Sequence, residues 1–215
     1  MPKPRKPASL KLHRTLKIFC EGNKTEPAYL KGYIATLDTE ARKSVVEVEP
    51  TRKNTAVQLV DEAIRAKKAP ASLPEDEFWV VYDRESVAKY SNELHAKAYS
   101  KAEGAGINVA LCNVCFEYWL LLHFVSTDAP YQNYDDLRKN SVLNDEFKKT
   151  CGCEYDKASA SIFNAIKDRI EIARERGVRI NQRGVDGADV ERKKPYYVNP
   201  YVGIVDLLNA IDKFV

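Results

Sequence analysis

Two acidic positions stand directly behind stretches that read as buried strands. Glu21 follows the apolar run Leu16–Cys20, within Cys20-Glu21-Gly22. Asp83-Arg84-Glu85 follows Phe78–Tyr82, the strongest strand signal in the chain. In an open parallel sheet, ligands sit outside the carboxyl ends of the strands at the switch point. A strand order of 2-1-3-4 makes the first and third strands neighbours there, so Glu21, Asp83 and Glu85 converge. Three converging carboxylates stay ionised only when a cation neutralises them. A hard divalent ion such as Mg²⁺ or Mn²⁺ takes oxygen ligands and fits that need. Glu26, at the start of the first helix, offers a fourth oxygen donor. The competing reading of each acid, taken singly, is a solvated loop carboxylate.

Other residues could carry chemistry. Gly22-Asn23-Lys24-Thr25 invites a phosphate-loop reading, but Asn23 precedes Lys24 and Ile18 stands where the first glycine of that motif belongs. A nucleotide-hydrolysing loop is therefore rejected. Lys24 remains a candidate point charge for a phosphate, against the plainer reading of a solvated lysine. In Cys115–Val125, Phe116, Trp119, Leu120 and His123 share a helical face, a pattern that usually means core. Glu117 in that apolar helix needs a partner or a helix dipole. Glu117 and His123 are thus candidates for supporting the acid site, His123 as a proton carrier near neutral pH. Cys112, Cys115, Cys151 and Cys153 offer a rival four-sulfur zinc site, with buried free thiols as the alternative. Between residues 169 and 194, eight cations face five acids, and Tyr196 and Tyr197 follow. Basic residues beside aromatic rings suit a nucleic-acid backbone and its bases, or simply a solvated surface.

The elements that must hold these residues alternate. Leu16–Cys20, Ser44–Glu49, Phe78–Tyr82 and Ile107–Leu111 read as strands. Helices are expected from Thr25-Glu26-Pro27 onward, over Thr55–Lys68, over Ser91–Ala102 and over Cys115–Val125. This is the pattern of a mostly parallel four-stranded α/β sheet flanked by helices. Beyond Val125 the strand signal fades. Tyr134–Lys139, Val142–Lys149 and Ser159–Arg176 read as helices, and Val178–Lys194 as a polar surface loop. Asn199-Pro200 opens a last amphipathic helix, Val202–Phe214. The expected division is a basic, mobile tail over 1–14, an α/β core over 15–125 and a helical extension over 126–215.

Composition narrows the function class. The 215 residues carry 34 Lys and Arg against 31 Asp and Glu, a net charge of +3, too weak to argue nucleic-acid binding alone. Five of those positive charges sit in residues 1–14, which hold no acid, so the remainder is slightly acidic. No apolar run reaches the ~18 residues of a membrane span. Five cysteines and no leader-like start favour a reducing cytoplasm over a disulfide framework.

In order along the chain, four blocks resemble the RloB family. They are Ile18-Phe19-Cys20-Glu21-Gly22-Asn23-Lys24-Thr25-Glu26-Pro27, Trp79-Val80-Val81-Tyr82-Asp83-Arg84-Glu85, the Asn113–Phe124 block, and Asn199-Pro200. Val114 replaces the proline usual in the third block, and Glu85 stands where Asp is common. The resemblance implies a TOPRIM-like, Rossmann-like α/β fold. It further implies that Glu21 is the first-strand acid, that Asp83 and Glu85 are the acidic pair holding Mg²⁺ or Mn²⁺, and that Glu26 matches an additional acid of nuclease-type members. The expected activity is metal-dependent cleavage of nucleic acid in bacterial antiphage defence, commonly beside a partner ATPase. The alternative is a non-catalytic subunit that binds nucleic acid or that ATPase.

Overall fold

The computed structural model describes residues 13–214 apart from 54, 153, 158, 160 and 161; the Cys151 side chain is also outside the described set. Residues 1–12 of the expected tail lie outside it too. Arg14, the last tail residue, stacks its guanidinium 4.5 Å over the Phe214 ring.

The first half alternates as its apolar runs require. The elements are β1 (Leu16–Cys20), α1 (Thr25–Ala35), α2 (Glu40–Val45), β2 (Val46–Glu49), α3 (Ala56–Lys67), β3 (Glu77–Asp83), α4 (Asn92–Ala105) and β4 (Asn108–Asn113). Local chemistry sets the helix ends. Thr55 and Ser91 accept the N–H groups of Gln58 and Leu94 as N-caps, and Gly106 closes α4 in the left-handed region at φ 63°. The second half supplies α5 (Glu117–Leu122), α6 (Tyr134–Asn140), α7 (Leu143–Cys151), α8 (Ile162–Ile166), α9 (Ile170–Gly187), β5 (Tyr201–Val202) and α10 (Ile204–Lys213).

The sheet order is β2-β1-β3-β4-β5. The first four strands are parallel, with Cys20 opposite Val81 and Asp83 opposite Cys112. Strand side chains alternate between two cores. Ile18, Cys20, Trp79, Val81 and Cys112 pack with α1, α5, α9 and α10, while Phe19, Phe78, Val80, Tyr82 and Leu111 pack with α3 and α4. Burial on both faces explains why β3 reads as an unbroken apolar run. This is a Rossmann-like, doubly wound arrangement.

Three expectations for the later chain need correction. The sheet has five strands, not four: Tyr201–Val202 is a strand antiparallel to β4, and α10 starts at Ile204 rather than Val202. Two residues are too few to show a period-2 pattern. The pairing rests on Gly203, whose N–H donates to the Leu111 carbonyl at 2.7 Å. A Cβ there would lie 2.8 Å from the Leu111 backbone N and O. Asn199-Pro200 accordingly leads into β5 and not into a helix. Finally, the polar loop expected over Val178–Lys194 is helical as far as Gly187. Gly177 and Gly184 read as breakers but are contact points: Gly177 faces Val205 and Val202, and Gly184 faces Val198.

Candidate functional site

Five carboxylates from four places in the sequence line one cavity of about 480 Å³ at the carboxyl ends of β1 and β3. They are Glu21, Glu26, Asp83, Glu85 and Glu117. Lys24, Lys89 and Lys157 line it as well. The strand order places them. β1 and β3 are neighbours at the point where the chain reverses its direction across the sheet, and there the connecting segments diverge and leave a crevice.

Backbone hydrogen bonds hold the acidic turns. The Glu21 N–H donates to the Val81 carbonyl at 2.9 Å, prolonging the β1–β3 ladder by one residue. The Arg84 and Glu85 N–H groups donate to the Cys112 and Val114 carbonyls at 2.8 and 2.9 Å. Glu85 sits at φ 57°, a left-handed conformation that costs a residue with a side chain about 1–3 kcal/mol. Arg84 braces that turn from beneath. Buried, it donates from Nε to the Tyr196 carbonyl at 3.0 Å, from Nη1 to the Tyr90 carbonyl at 2.9 Å and from Nη2 to Asn92 Oδ1 at 2.6 Å. Gly22 lets the Glu26 carboxylate lie close: a Cβ at Gly22 would be 2.5 Å from Glu26 Oε2.

The electrostatics of the cluster are those of crowded acids. Burial, with Glu85 and Glu26 adding repulsion, raises Glu21 from an ordinary 4.5 to about 7, although the Asp83 backbone N–H opposes the rise. Burial lifts Asp83 well above the usual carboxylate range, and Glu26, Glu117, Glu21 and Glu85 add to it. The Asp83 Oδ1 accepts the Phe116 N–H at 2.8 Å. Glu26 is raised by burial and by Glu117, against the pull of Lys157. Each of these groups is easier to ionise when a cation is added.

Two lysines already answer part of that need. Lys89 pairs with Glu85 at 2.7 Å. Lys157 pairs with Glu117 Oε1 at 2.9 Å, while its ammonium sits 3.6 Å above the Tyr134 ring. Tyr155 donates to the same Oε1 at 2.9 Å. Glu117 is 1% exposed, and its Oε2 is buried with no hydrogen-bond partner among the described residues. Among those residues no three His, Cys, Asp or Glu side chains form a ready-made metal cage. The donor chemistry nevertheless suits a hard divalent cation: the set is all oxygen, several members have raised pKa values, and one buried oxygen is orphaned.

Not every expected residue belongs to this cavity. His123 is buried and does not line it. Its Nδ1 faces the Trp119 carbonyl at 3.0 Å, so Nδ1 carries the proton, and Nε2 accepts from the Tyr29 hydroxyl at 3.3 Å. Burial lowers its pKa to about 3. The ring is therefore neutral near pH 7, with both nitrogens engaged inside the core. Lys24 is exposed at the cavity wall, at the start of α1. Cys112 and Cys115 are free, buried thiols whose pKa values are pushed up by burial and nearby acids. Cys153 and the Cys151 side chain lie outside the described residues. Three of the eight late cations are committed to structural contacts. Arg174 pairs with Asp212 at 2.7 Å, Arg176 donates to the Leu122 carbonyl at 2.7 Å, and Arg183 pairs with Asp128 at 2.6 Å.

Sequence reasoning missed Lys89, Lys157 and Tyr155. Lys89 lies four residues after Glu85, a spacing that carries meaning on a helix but here falls in a turn. Lys157 and Tyr155 had no local signal. They arrive from the segment after α7, which the Thr25 hydroxyl ties to α1 by donating to the Lys157 carbonyl at 3.0 Å.

Fold and cavity together define a Rossmann-like α/β protein with a carboxylate-lined pocket at the switch point of its sheet. The family model for RloB-like proteins matches residues 16–211, from the first strand to the last helix. The chain therefore belongs to the RloB-like protein family. No curated protein and no solved structure matches it significantly. No helix among the described residues is long and apolar enough to cross a membrane.

Proposed function

We propose that this protein is a Mg²⁺- or Mn²⁺-dependent phosphodiesterase that cleaves nucleic acid. The observation that carries the reading is the convergence of Glu21, Glu26, Asp83, Glu85 and Glu117 on one cavity, with Glu21, Glu26 and Asp83 destabilised as anions. Glu21, Asp83 and Glu26 would hold the cation, and Glu85 would join them on leaving Lys89. Such an ion, when bound, supplies positive charge to the scissile phosphate and a more acidic water. The chain's own residues do the rest. Lys24 neutralises phosphate charge at the cavity mouth. Lys157 and Tyr155 hold Glu117 in place, and Arg84 fixes the Asp83–Glu85 turn. A role in antiphage defence beside a partner ATPase extends the reading from the family resemblance.

The test is cleavage of DNA and RNA with Mg²⁺ or Mn²⁺ by the wild type, Asp83→Asn and Glu21→Gln. Each variant is expected to lose on the order of 100-fold or more in rate. Unchanged activity in both overturns the assignment.

The lysine pairing of Glu85 and Glu117 favours a second reading, a non-catalytic subunit that binds nucleic acid or the ATPase. Binding without metal dependence, and no cleavage even with the ATPase present, selects it.

A further inference from the structure

Glu85 lines two cavities. The second, of about 520 Å³, shares Glu85 with the acid cavity and has a different character. Its cations are Arg84 and Arg192, and its one acid, Glu85, is already paired with Lys89. Arg84 is 2% exposed, and all its hydrogen bonds go to neutral oxygens, with no carboxylate partner among the described residues. A buried guanidinium without a counter-ion prefers an electron-rich ligand nearby. The amides of Asn113 and Asn199 each spend an N–H on the backbone, at 2.7 and 2.8 Å, which leaves Oδ1 without a partner among the described residues.

One wall is aromatic. A column of rings runs outward from the core: Tyr82 stacks on His95 (5.9 Å, 15°), His95 on Tyr196 (6.3 Å, 18°), and Tyr196 meets Tyr197 (4.6 Å, 48°). Its inner members are buried, and Tyr197 ends it at the cavity, 37% exposed. Hydrogen bonds anchor the inner part of the column. His95, kept neutral by burial and Arg84, contacts the Arg84 carbonyl at 3.0 Å, and Arg84 in turn holds the Tyr196 carbonyl. An exposed ring packed against a buried column, beside free amide oxygens and a guanidinium, has the chemistry that receives a flat heterocycle with donor and acceptor edges.

We infer that this cavity seats an unpaired nucleobase of a single-stranded nucleic acid, stacked on Tyr197, while the neighbouring phosphate lies over the acid cluster. The inference rests on the phosphodiesterase reading for the phosphate and extends it to the substrate class: single strands or unpaired loops, not intact duplex. A paired base is held in its stack and cannot enter a cavity of this kind without being extruded.

The experiment is fluorescence anisotropy in Ca²⁺ with a fluorescein-labelled single strand, the same sequence as a duplex, and an all-abasic strand of equal length. Wild type is expected to bind the base-bearing single strand most tightly. Tyr197→Ala should weaken that binding about 5- to 100-fold, the worth of one base–aromatic stack, and leave the abasic strand unchanged. Tyr197→Phe, which keeps the ring, should stay within about twofold of wild type. Wild type that binds no strand, equal affinity for single strand and duplex, or unaltered binding by Tyr197→Ala overturns the inference. The two readings fail separately. Tyr197-dependent binding with no cleavage in Mg²⁺ sinks the phosphodiesterase and keeps the subsite. Metal-dependent cleavage with intact binding by Tyr197→Ala does the reverse.

Discussion

Replacing Glu21 by Gln tests the central physical claim, that burial, with neighbouring acids adding repulsion, makes the Glu21 anion unfavourable in the folded cluster. Glu21 has a folded pKa of about 7 against an ordinary 4.5. The folded state therefore binds more protons than the unfolded state between those values, and stability falls as pH rises through that window. The interval corresponds to ~3 kcal/mol at about 1.4 kcal/mol per tenfold. Glu21 is half-buried, so solvent screening trims this to about 2 kcal/mol. Gln keeps an acceptor for the Asp83 N–H and removes the charge. The variant should match wild type below about pH 4.5 and exceed it by about 2 kcal/mol above about pH 7. For a chain of this length that is a rise in Tm of roughly 4–8 °C. Thermal unfolding followed by circular dichroism, at about pH 4.5 and about pH 8, reads the difference. Saturating Mg²⁺ should reverse the order, because a cation that binds only the folded wild type stabilises it by ~3 kcal/mol at a hundred times its Kd. Glu21→Gln no more stable than wild type at the higher pH would refute the claim that burial and neighbouring acids disfavour the Glu21 anion. A Tm of wild type indifferent to Mg²⁺ and Mn²⁺ would remove the cation from the argument.

Further predictions concern the supports of the site. Lys157→Met leaves the buried Glu117 carboxylate with Tyr155 alone, so urea unfolding should show a loss of about 3 kcal/mol. Gly203→Ala drives a Cβ into the Leu111 backbone and should cost about 1–3 kcal/mol, with exchange protection lost first at Leu111 and Gly203 amides; an unchanged Tm contradicts the β4–β5 contact. His123 folds with a pKa near 3, below its ordinary 6.5, so wild type loses stability as pH falls through that window. His123→Gln should flatten this acid limb by ~3 kcal/mol at about pH 4, and it should leave the pH profile of any cleavage above about pH 6 unmoved.

Much of the α/β framework was legible in the sequence, because it is encoded locally. The apolar runs at Leu16–Cys20 and Phe78–Tyr82, the caps Thr55 and Ser91, and Gly106 each specify a strand or a helix end through neighbours a few residues away. Glu21, Asp83 and Glu85 were readable as a converging set for the same reason: strand ends and a common switch point place them together. β5 was not readable, since two residues carry no periodicity and their pairing depends on Gly203 fitting against Leu111 from far along the chain. The helical run of α9 through Gly177 and Gly184 was hidden likewise, because those glycines serve contacts with Val205 and Val198 that no local rule reveals.

The same division governs the site. Residue type and strand-end position by themselves determined that acids gather at the sheet's carboxyl edge, since alternating strands and helices leave few other arrangements. Tertiary structure alone decided how those charges are met. Lys157 and Tyr155 reach Glu117 across long stretches of chain, Arg84 couples the acidic turn to Tyr196, and the fold buries His123 among rings where it stays neutral. Burial and pairing are properties of the packed interior, and a protonation state follows from them rather than from the identity of the residue.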